Sequence, residues 1–388
     1  MQHIPEIMKI IEAGLQEDST KVYNYSNLLI ENLIKEEDTR SADKLKKAIK
    51  NSKTFSLKLR DEVTAKNIPV DSESRLSLAD LEYYSENEVF LSVPEDVLNN
   101  LEEYIDLINK SGTLVGEDIR IYRNMLIYGP AGVGKTQAAR YISAKTGLPL
   151  ITVRIDGLIS SYLGSTSKNI RTLFDFVSKT PCILFLDEFD AIAKMRDDSQ
   201  EVGELKRVVN TLLQNIDSIS NKVPIVAATN HQHLLDSAVW RRFDYRLAFE
   251  LPNSAQRSGI VKHFLQWAEV ENQVFEILTS MTNGFSGAEI QTFMEMIKTN
   301  YLLGKIKGID EKTLFNLFMK YQTRNSSGKT ELPETNVDKK TKFLKMFRQD
   351  NPKLFTYRIL SNMTGFSTGK ISGIIGGTKD GERKVSSC

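Results

Sequence analysis

The chain has 388 residues, 40% hydrophobic and 26% charged, with 51 Lys and Arg against 50 Asp and Glu. That length supports two or three domains with a sizeable core, and a net charge of +1 gives no global field for nucleic acid or membrane. No apolar run reaches the roughly 20 residues of a membrane-spanning helix, Met1–Leu15 carries Glu6 and Glu12 and lacks a signal-peptide core, and Cys182 and Cys388 cannot build a disulfide framework, which predicts a cytoplasmic setting.

Residues 1–60 read as a helical N-terminal domain. Ile4, Ile7, Met8, Ile11 and Leu15 recur at helical spacing, and Tyr25, Leu28, Leu29 and Leu33 continue it. Ala42, Leu45, Ala48 and Ile49 give a third segment, with Asp18 or Ser19 and Ser41 as expected N-caps. The segment holds no catalytic constellation and suits docking or assembly. Residues 61–88 are polar, with Pro69, Ser72, Ser74 and a Glu-rich patch, and read as a linker.

Over 89–251 helix and strand patterns alternate. Pro94–Lys110 predicts a helix, and Met125–Tyr128, Leu150–Val153, Cys182–Leu186, Pro224–Ala228 and Tyr245–Glu250 predict strands. Continuous apolar runs such as Cys182–Leu186 are expected where a strand is covered on both faces. Strands separated by helices imply crossover connections. The expected fold is therefore α/β, a parallel five-stranded sheet, followed by a helical subdomain over 252–303. Ligands on such sheets bind beyond the carboxyl ends of the strands.

The first of those ends carries Gly129-Pro130-Ala131-Gly132-Val133-Gly134-Lys135-Thr136. A glycine-rich turn between a strand and a helix lets backbone N–H groups curl around an anion. In this pattern Lys135 reaches the β- and γ-phosphates of ATP and the Thr136 hydroxyl sits on Mg²⁺. Asp187 and Glu188 follow the third strand. Asp187 is the candidate Mg²⁺ holder with Thr136, and Glu188 the group that polarises the attacking water. Asn230, after the fourth strand, is placed to orient that water. Arg241 and Arg242 are candidates for supplying transition-state charge to a neighbouring subunit's nucleotide. His231 and His233 read as loop residues.

The series GPAGVGKT, ILFLDEFD, VAATN and WRRFD resembles the AAA ATPase module over about residues 89–303. Gly284-Phe285-Ser286-Gly287-Ala288-Glu289 resembles the "GFSGADI" lid signature of the classical AAA clade. The resemblance implies a P-loop ATPase sheet with a helical lid over 252–303, in which Ala288 stands at the position where other members carry a sensing arginine. It implies ATP and Mg²⁺ as cofactors and a homo-oligomeric ring, a hexamer, acting on a protein substrate. Arg242 is then the trans finger with Arg241 as its helper; Tyr245 replaces a second arginine often found in the family. Ser161-Tyr162-Leu163-Gly164-Ser165 resembles the first pore loop, in which Tyr162, Leu163 and Gly164 grip a polypeptide; Ser165 replaces the usual Glu. Asp197, Asp198 and Glu201 read either as a second pore loop or as a solvated loop. The N-terminal helices together with Val153–Ile159 resemble a group of stand-alone bacterial AAA ATPases commonly encoded near subtilisin-like proteases, which implies a protease partner.

Residues 304–388 form a basic tail, with 17 Lys and Arg against 8 Asp and Glu. Residues 322–338 read as a flexible joint. Phe355–Ile375 resembles a helix-turn-helix. Tyr357, Ile359, Leu360 and Met363 precede Gly365; Phe366, Ile371, Ile374 and Ile375 follow, with Ser367 or Thr368 as cap. Two readings stay open. Residues 340–388 bind DNA, with Lys370 in the groove and Arg358 on phosphate, or the hairpin serves protein contacts. The alternative function is an ATP-controlled DNA-associated regulator.

Overall fold

A computed structural model describes residues 68–71, 74–111, 123–154, 163–191, 204–220, 222–325 and 336–376. It also describes residues 7–9, 11, 26, 29–30, 32–33, 38 and 41–45. The chain divides into two compact units, the first drawn from residues up to Phe249, the second comprising Ser92–Pro94, Ala131–Gly134 and Glu250–Cys388.

The first unit is built on a six-stranded sheet in the order β1-β3-β4-β5-β2-β6. Its strands are β1 (Ala79–Glu82), β2 (Asn124–Tyr128), β3 (Leu150–Val153), β4 (Ile183–Leu186), β5 (Ile225–Thr229) and β6 (Tyr245–Ala248). Strands β2 to β6 run parallel, with Met125 opposite Val226 and Tyr245, and Phe185 opposite Val226. The expected five-stranded parallel sheet is thus corrected to a mixed sheet of six strands. The sixth, β1, pairs antiparallel with β3 and lies inside the stretch read as a linker, 61–88. It escaped the sequence reading because it is a four-residue edge strand, Ala-Asp-Leu-Glu, with only Ala79 fully buried. Central strands β4 and β5 are buried at every position, whereas edge strand β6 buries only Leu247.

Alternation along the buried strands sends side chains to two layers. Leu126, Ile151, Leu184, Leu186, Ile225 and Ala227 join one cluster. On that side it is covered by α3 (Leu163–Val177) and α4 (Glu204–Ile219), through Leu173, Phe174, Leu212 and Ile216. The opposite face takes α1 (Glu95–Asn109) and α2 (Lys135–Thr146). In α1, Val97, Leu101, Tyr104, Ile105 and Ile108 form the buried stripe, and Glu95 and Asp96 complement the N-terminal end of the dipole. The short α5 (Ser237–Trp240) is capped by Asp236, whose side chain accepts from Val239 N–H at 2.9 Å. Near the N-terminus, Leu29, Ile30, Leu33 and Ala42 form a small buried cluster. There the cap is Asp38, accepting from Ser41 N–H at 3.1 Å, rather than Ser41 itself.

The second unit holds α6 (Ser254–Phe264), α7 (Asn272–Met281), α8 (Gly287–Leu302), α9 (Glu311–Asn325), α10 (Asn336–Asp350), α11 (Tyr357–Thr364) and α12 (Thr368–Gly376). Reciprocal capping boxes start α6 (Asn253 with Gln256) and α8 (Ser286 with Glu289). One aromatic core runs through it. Phe285 and Phe293 pack on Phe318 at 6.1 and 6.0 Å, Phe318 on Phe347 at 5.4 Å, and Phe347 stacks on Phe355 at 5.0 Å. Residues on both sides of position 303 share this core. Residues 322–325 and 336–338, read as part of a joint, belong to α9 and α10, and 326–335 lie outside the described residues. Among the described residues no helix is long and apolar enough to cross a membrane.

Candidate functional site

Parallel strands bring their carboxyl ends to one edge of the sheet, so residues distant in sequence converge there. β2 leads into Gly129, β4 into Asp187–Asp190, β5 into Asn230 and β6 into Phe249. Lys135 Nζ donates to Asn230 Oδ1 at 2.6 Å across 95 positions of sequence. Thr136 Oγ1 donates to Asp187 Oδ2 at 2.9 Å.

The glycine loop has the backbone such a turn needs. Gly129, Gly132 and Gly134 have φ of 146°, 76° and 106°. A Cβ on Gly129 would stand 1.9 Å from the Phe249 carbonyl oxygen. That approach is enforced from the other side, where Phe249 N–H donates to Tyr128 O at 2.7 Å. Pro130 and Ala131 are exposed and Val133 is buried. Within the second unit, Gly132 O accepts from Ala288 N–H at 3.0 Å, and a Cβ on Gly132 would meet Ser286 Oγ at 2.8 Å.

Lys135 is 7% exposed, and its ammonium donates to Gly129 O at 2.8 Å and Pro130 O at 2.6 Å as well as to Asn230. Burial pushes its pKa below the ordinary lysine value, while the nearby Asp187 and Asp190 carboxylates oppose that shift. All three of its donors are filled by oxygens of the loop and of Asn230, the kind of contact a phosphate oxygen would take over. A glycine cradle, a buried ammonium and a paired hydroxyl and carboxylate fit a Mg²⁺-bound triphosphate. Lys135, Thr136 and Asp187 are the residues that would hold it.

Beyond β4 the backbone is strained. Glu188 is a non-glycine residue at φ 50°, with an exposed side chain. Such a conformation costs about 1–3 kcal/mol and persists only where neighbours over-determine it. Here Glu188 N–H donates to Asp187 Oδ1 at 2.9 Å, Ala191 N–H to Glu188 O at 2.8 Å, and Phe189 N–H to Ala228 O at 2.8 Å. Asp190, 5% exposed, accepts from Thr229 Oγ1 at 3.0 Å, and that hydroxyl accepts from His231 N–H at 3.0 Å. The two bonds brace the backbone on both sides of Asn230. The sequence reading gave neither Asp190 nor Thr229 a role; the signal was a polar residue closing the otherwise apolar β5 and an acid four residues past the end of β4.

Arg242 folds back onto its own chain. Its Nε donates to Asp217 Oδ1 at 2.9 Å, a terminal nitrogen donates to Asp217 Oδ2 at 2.9 Å, and the other donates to Ala238 O at 2.6 Å. Arg241 is exposed, and its guanidinium has no hydrogen-bond or ionic partner among the described residues. Neither arginine is brought to the glycine loop. Asp217 was missed by the sequence reading because it lies 25 positions from its partner. Tyr162 lies outside the described residues, as do Asp197, Asp198 and Glu201, whereas Leu163 and Gly164 open α3. The rings of His231 and His233 lie edge to face at 5.6 Å on exposed side chains.

A glycine loop feeding a helix from a parallel strand, with carboxylates at the end of a strand one further along the sheet, is the arrangement of a P-loop nucleotide-binding protein. Residues 125–251 match the family model described as "ATPase family associated with various cellular activities (AAA)", and that segment is an AAA ATPase domain. The chain is 41% identical over 215 residues to an uncharacterized AAA family ATPase of Sinorhizobium fredii, covering 55% of this chain and 64% of the relative. It is 31% identical over 256 residues to the proteasome-activating nucleotidase of Sulfurisphaera tokodaii, 64% of each chain. It is 34% identical over 204 residues to the ATP-dependent zinc metalloprotease FtsH 3 of Sphaerobacter thermophilus, 51% of this chain and 41% of that one. The chain therefore spans less than two thirds of the length of each of these relatives.

Proposed function

We propose that this protein hydrolyses ATP at the interfaces of a ring of its own copies and uses the work to remodel, unfold or translocate a protein substrate. The observation that carries the reading is the convergence of Lys135, Thr136, Asp187 and Asn230 at one sheet edge. Bound Mg²⁺ would neutralise phosphate charge and orient the leaving group. In this reading the loop Gly129–Gly134 wraps the phosphates, with the main-chain N–H groups of Ala131–Gly134 as donors. Lys135 moves its ammonium from loop carbonyls to phosphate oxygens. Glu188, exposed at a strained position, accepts a proton from the attacking water, and Asn230 orients that water while remaining braced by Thr229. Ala288, whose N–H donates to Gly132 O, belongs to a helical lid formed by the helices after residue 252.

The neighbour supplies Arg242, with Arg241 beside it. Arg242 must exchange Asp217 for the partner's nucleotide, while Arg241 is already exposed. Tyr162, Leu163 and Gly164 form the grip on the substrate chain. Relatives named as a proteasome-activating nucleotidase and as an ATP-dependent metalloprotease support a protein substrate and a protease partner. The ring is a hexamer in this reading, and the setting is the cytoplasm.

The test is Glu188→Gln. The variant binds ATP with wild-type affinity and releases phosphate at least roughly 10²-fold more slowly, as expected when a group that acts in proton transfer is neutralised. Unchanged phosphate release would remove Glu188 from the chemistry and with it the reading of the site.

A further inference from the structure

The ATPase reading leaves the end of the chain unused. Residues 336–376 carry Lys339, Lys340, Lys342, Lys345, Arg348, Lys353, Arg358 and Lys370 against only Asp338 and Asp350, and 351–376 contain no acidic residue at all. Arg348 is committed internally. It donates to the Pro352 and Phe355 carbonyls and lies 5.1 Å from the Tyr357 ring. The other seven form no ion pair among the described residues.

The fold displays these charges on a fixed surface. Leu360, Met363 and Ile371 are buried and anchor α11 and α12. Gly365, at φ 74°, ends α11 in the left-handed region, and Ser361 Oγ donates to Phe366 O at 2.7 Å across the turn. Thr356 caps α11, accepting from Ile359 N–H at 3.3 Å, and Ser367 Oγ accepts from Lys370 N–H at 3.3 Å at the start of α12. α12 packs on both α10 and α11. Lys339, Lys342 and Lys345 recur every three residues on one side of α10, within about a third of a turn of one another. Arg358 and Lys370 are exposed, and Lys370 lies 4.0 Å from the Phe366 ring. The exposed positions Thr368, Gly369, Ser372 and Gly373 of α12 are short and uncharged, so a polymer backbone meets no bulky or acidic side chain there.

We propose that the α10–α12 surface binds the phosphate backbone of double-stranded DNA, with α12 lying in the major groove. A surface that carries seven cations, free of ion pairs among the described residues, against two carboxylates calls for a polyanion, since phosphate neutralisation with counterion release supplies most of the affinity of such contacts. The major groove of B-form DNA admits a single helix, whereas that of an A-form duplex is too narrow. Thr, Ser and Gly read few base edges, so binding is tolerant of sequence.

The experiment is fluorescence anisotropy of a labelled 24-base-pair duplex (about two turns) with the full-length chain and no nucleotide, so its outcome is independent of the ATPase reading. Binding is expected to weaken with salt, with a log–log slope of about −4 to −5 for roughly five phosphate contacts. Lys342→Gln/Lys345→Gln/Lys370→Gln should lose at least roughly tenfold in affinity and flatten the slope by about 3, while the matching Arg triple variant keeps both. An unchanged circular dichroism spectrum shows that the Gln variant is folded; if it is not, Arg358→Gln, expected to flatten the slope by about 1, takes its place. No binding at about 50 mM salt, a Gln variant equal to wild type, or tighter binding of an RNA duplex or of polyglutamate overturns the proposal.

Discussion

The residue scale decides the chemistry, and there the supporting contacts matter as much as the chemical groups. Lys135 and Asn230 meet at 2.6 Å, and the Thr229 hydroxyl, bonded to buried Asp190 and to His231 N–H, holds the backbone on both sides of Asn230. Thr229→Val keeps the shape and removes both hydroxyl bonds, the one accepted from His231 N–H and the one donated to Asp190. Loss of buried hydrogen-bonded partners predicts a destabilisation of about 1–3 kcal/mol, measured by urea denaturation. In the proposed mechanism the variant also slows phosphate release more than it weakens ATP binding, and Thr229→Ser restores both. Equal loss of binding and turnover would assign the brace to folding alone. Most of the site was legible at this scale, because Gly129–Thr136 and Asp187–Glu188 are contiguous motifs whose residue types follow from phosphate chemistry. The Asp190–Thr229 pair and the Asp217–Arg242 pair were not, since each joins side chains 39 and 25 positions apart through the packing of separate elements.

At the scale of elements, local sequence signals and tertiary context divide the work. α8 begins where Ser286 and Glu289 satisfy each other's backbone N–H groups, Ser286 N–H donating to Glu289 Oε2 at 2.8 Å. Ser286→Ala removes the cap and should cost about 1 kcal/mol, read as a lowered midpoint in chemical denaturation. An unchanged midpoint would mean that packing of Ile290, Phe293 and Met294 starts the helix without help. The buried strands were read correctly because an apolar run needs no partner to be recognised. β1 was missed because four residues at a sheet edge acquire strand character only by pairing, with Leu81 set opposite Ile151. The same reasoning holds for α9 and α10. Their facing ends, 322–325 and 336–338, read as part of a flexible joint around residues 325–328 and Pro333, whereas Phe318, Phe343 and Phe347 of the same helices pack together, with centroids 5.1 to 6.3 Å apart.

At the scale of the whole molecule, the proposed ring makes a prediction that no single chain satisfies. Arg242→Ala keeps its own glycine loop and Glu188, and Glu188→Gln keeps its own Arg242. Each alone should be nearly inactive, since removing a transition-state arginine costs on the order of 10³ in turnover. Mixed, they should recover phosphate release well above the sum of the two, because some interfaces then join an intact pocket to an intact arginine. No recovery over a range of mixing ratios and concentrations would reject catalysis between copies. What the sequence by itself determined is the alternation of strand and helix, the positions of the buried strands along the chain and the glycine-rich turn after the first of them, because these rest on local periodicity and on glycine conformations written residue by residue. Only the tertiary structure decided the sixth strand, the brace behind Asn230, the retention of Arg242 by Asp217 and the shared aromatic core of Phe285–Phe355. Each depends on two segments becoming neighbours, and contact between distant segments is a property of packing that no local pattern encodes.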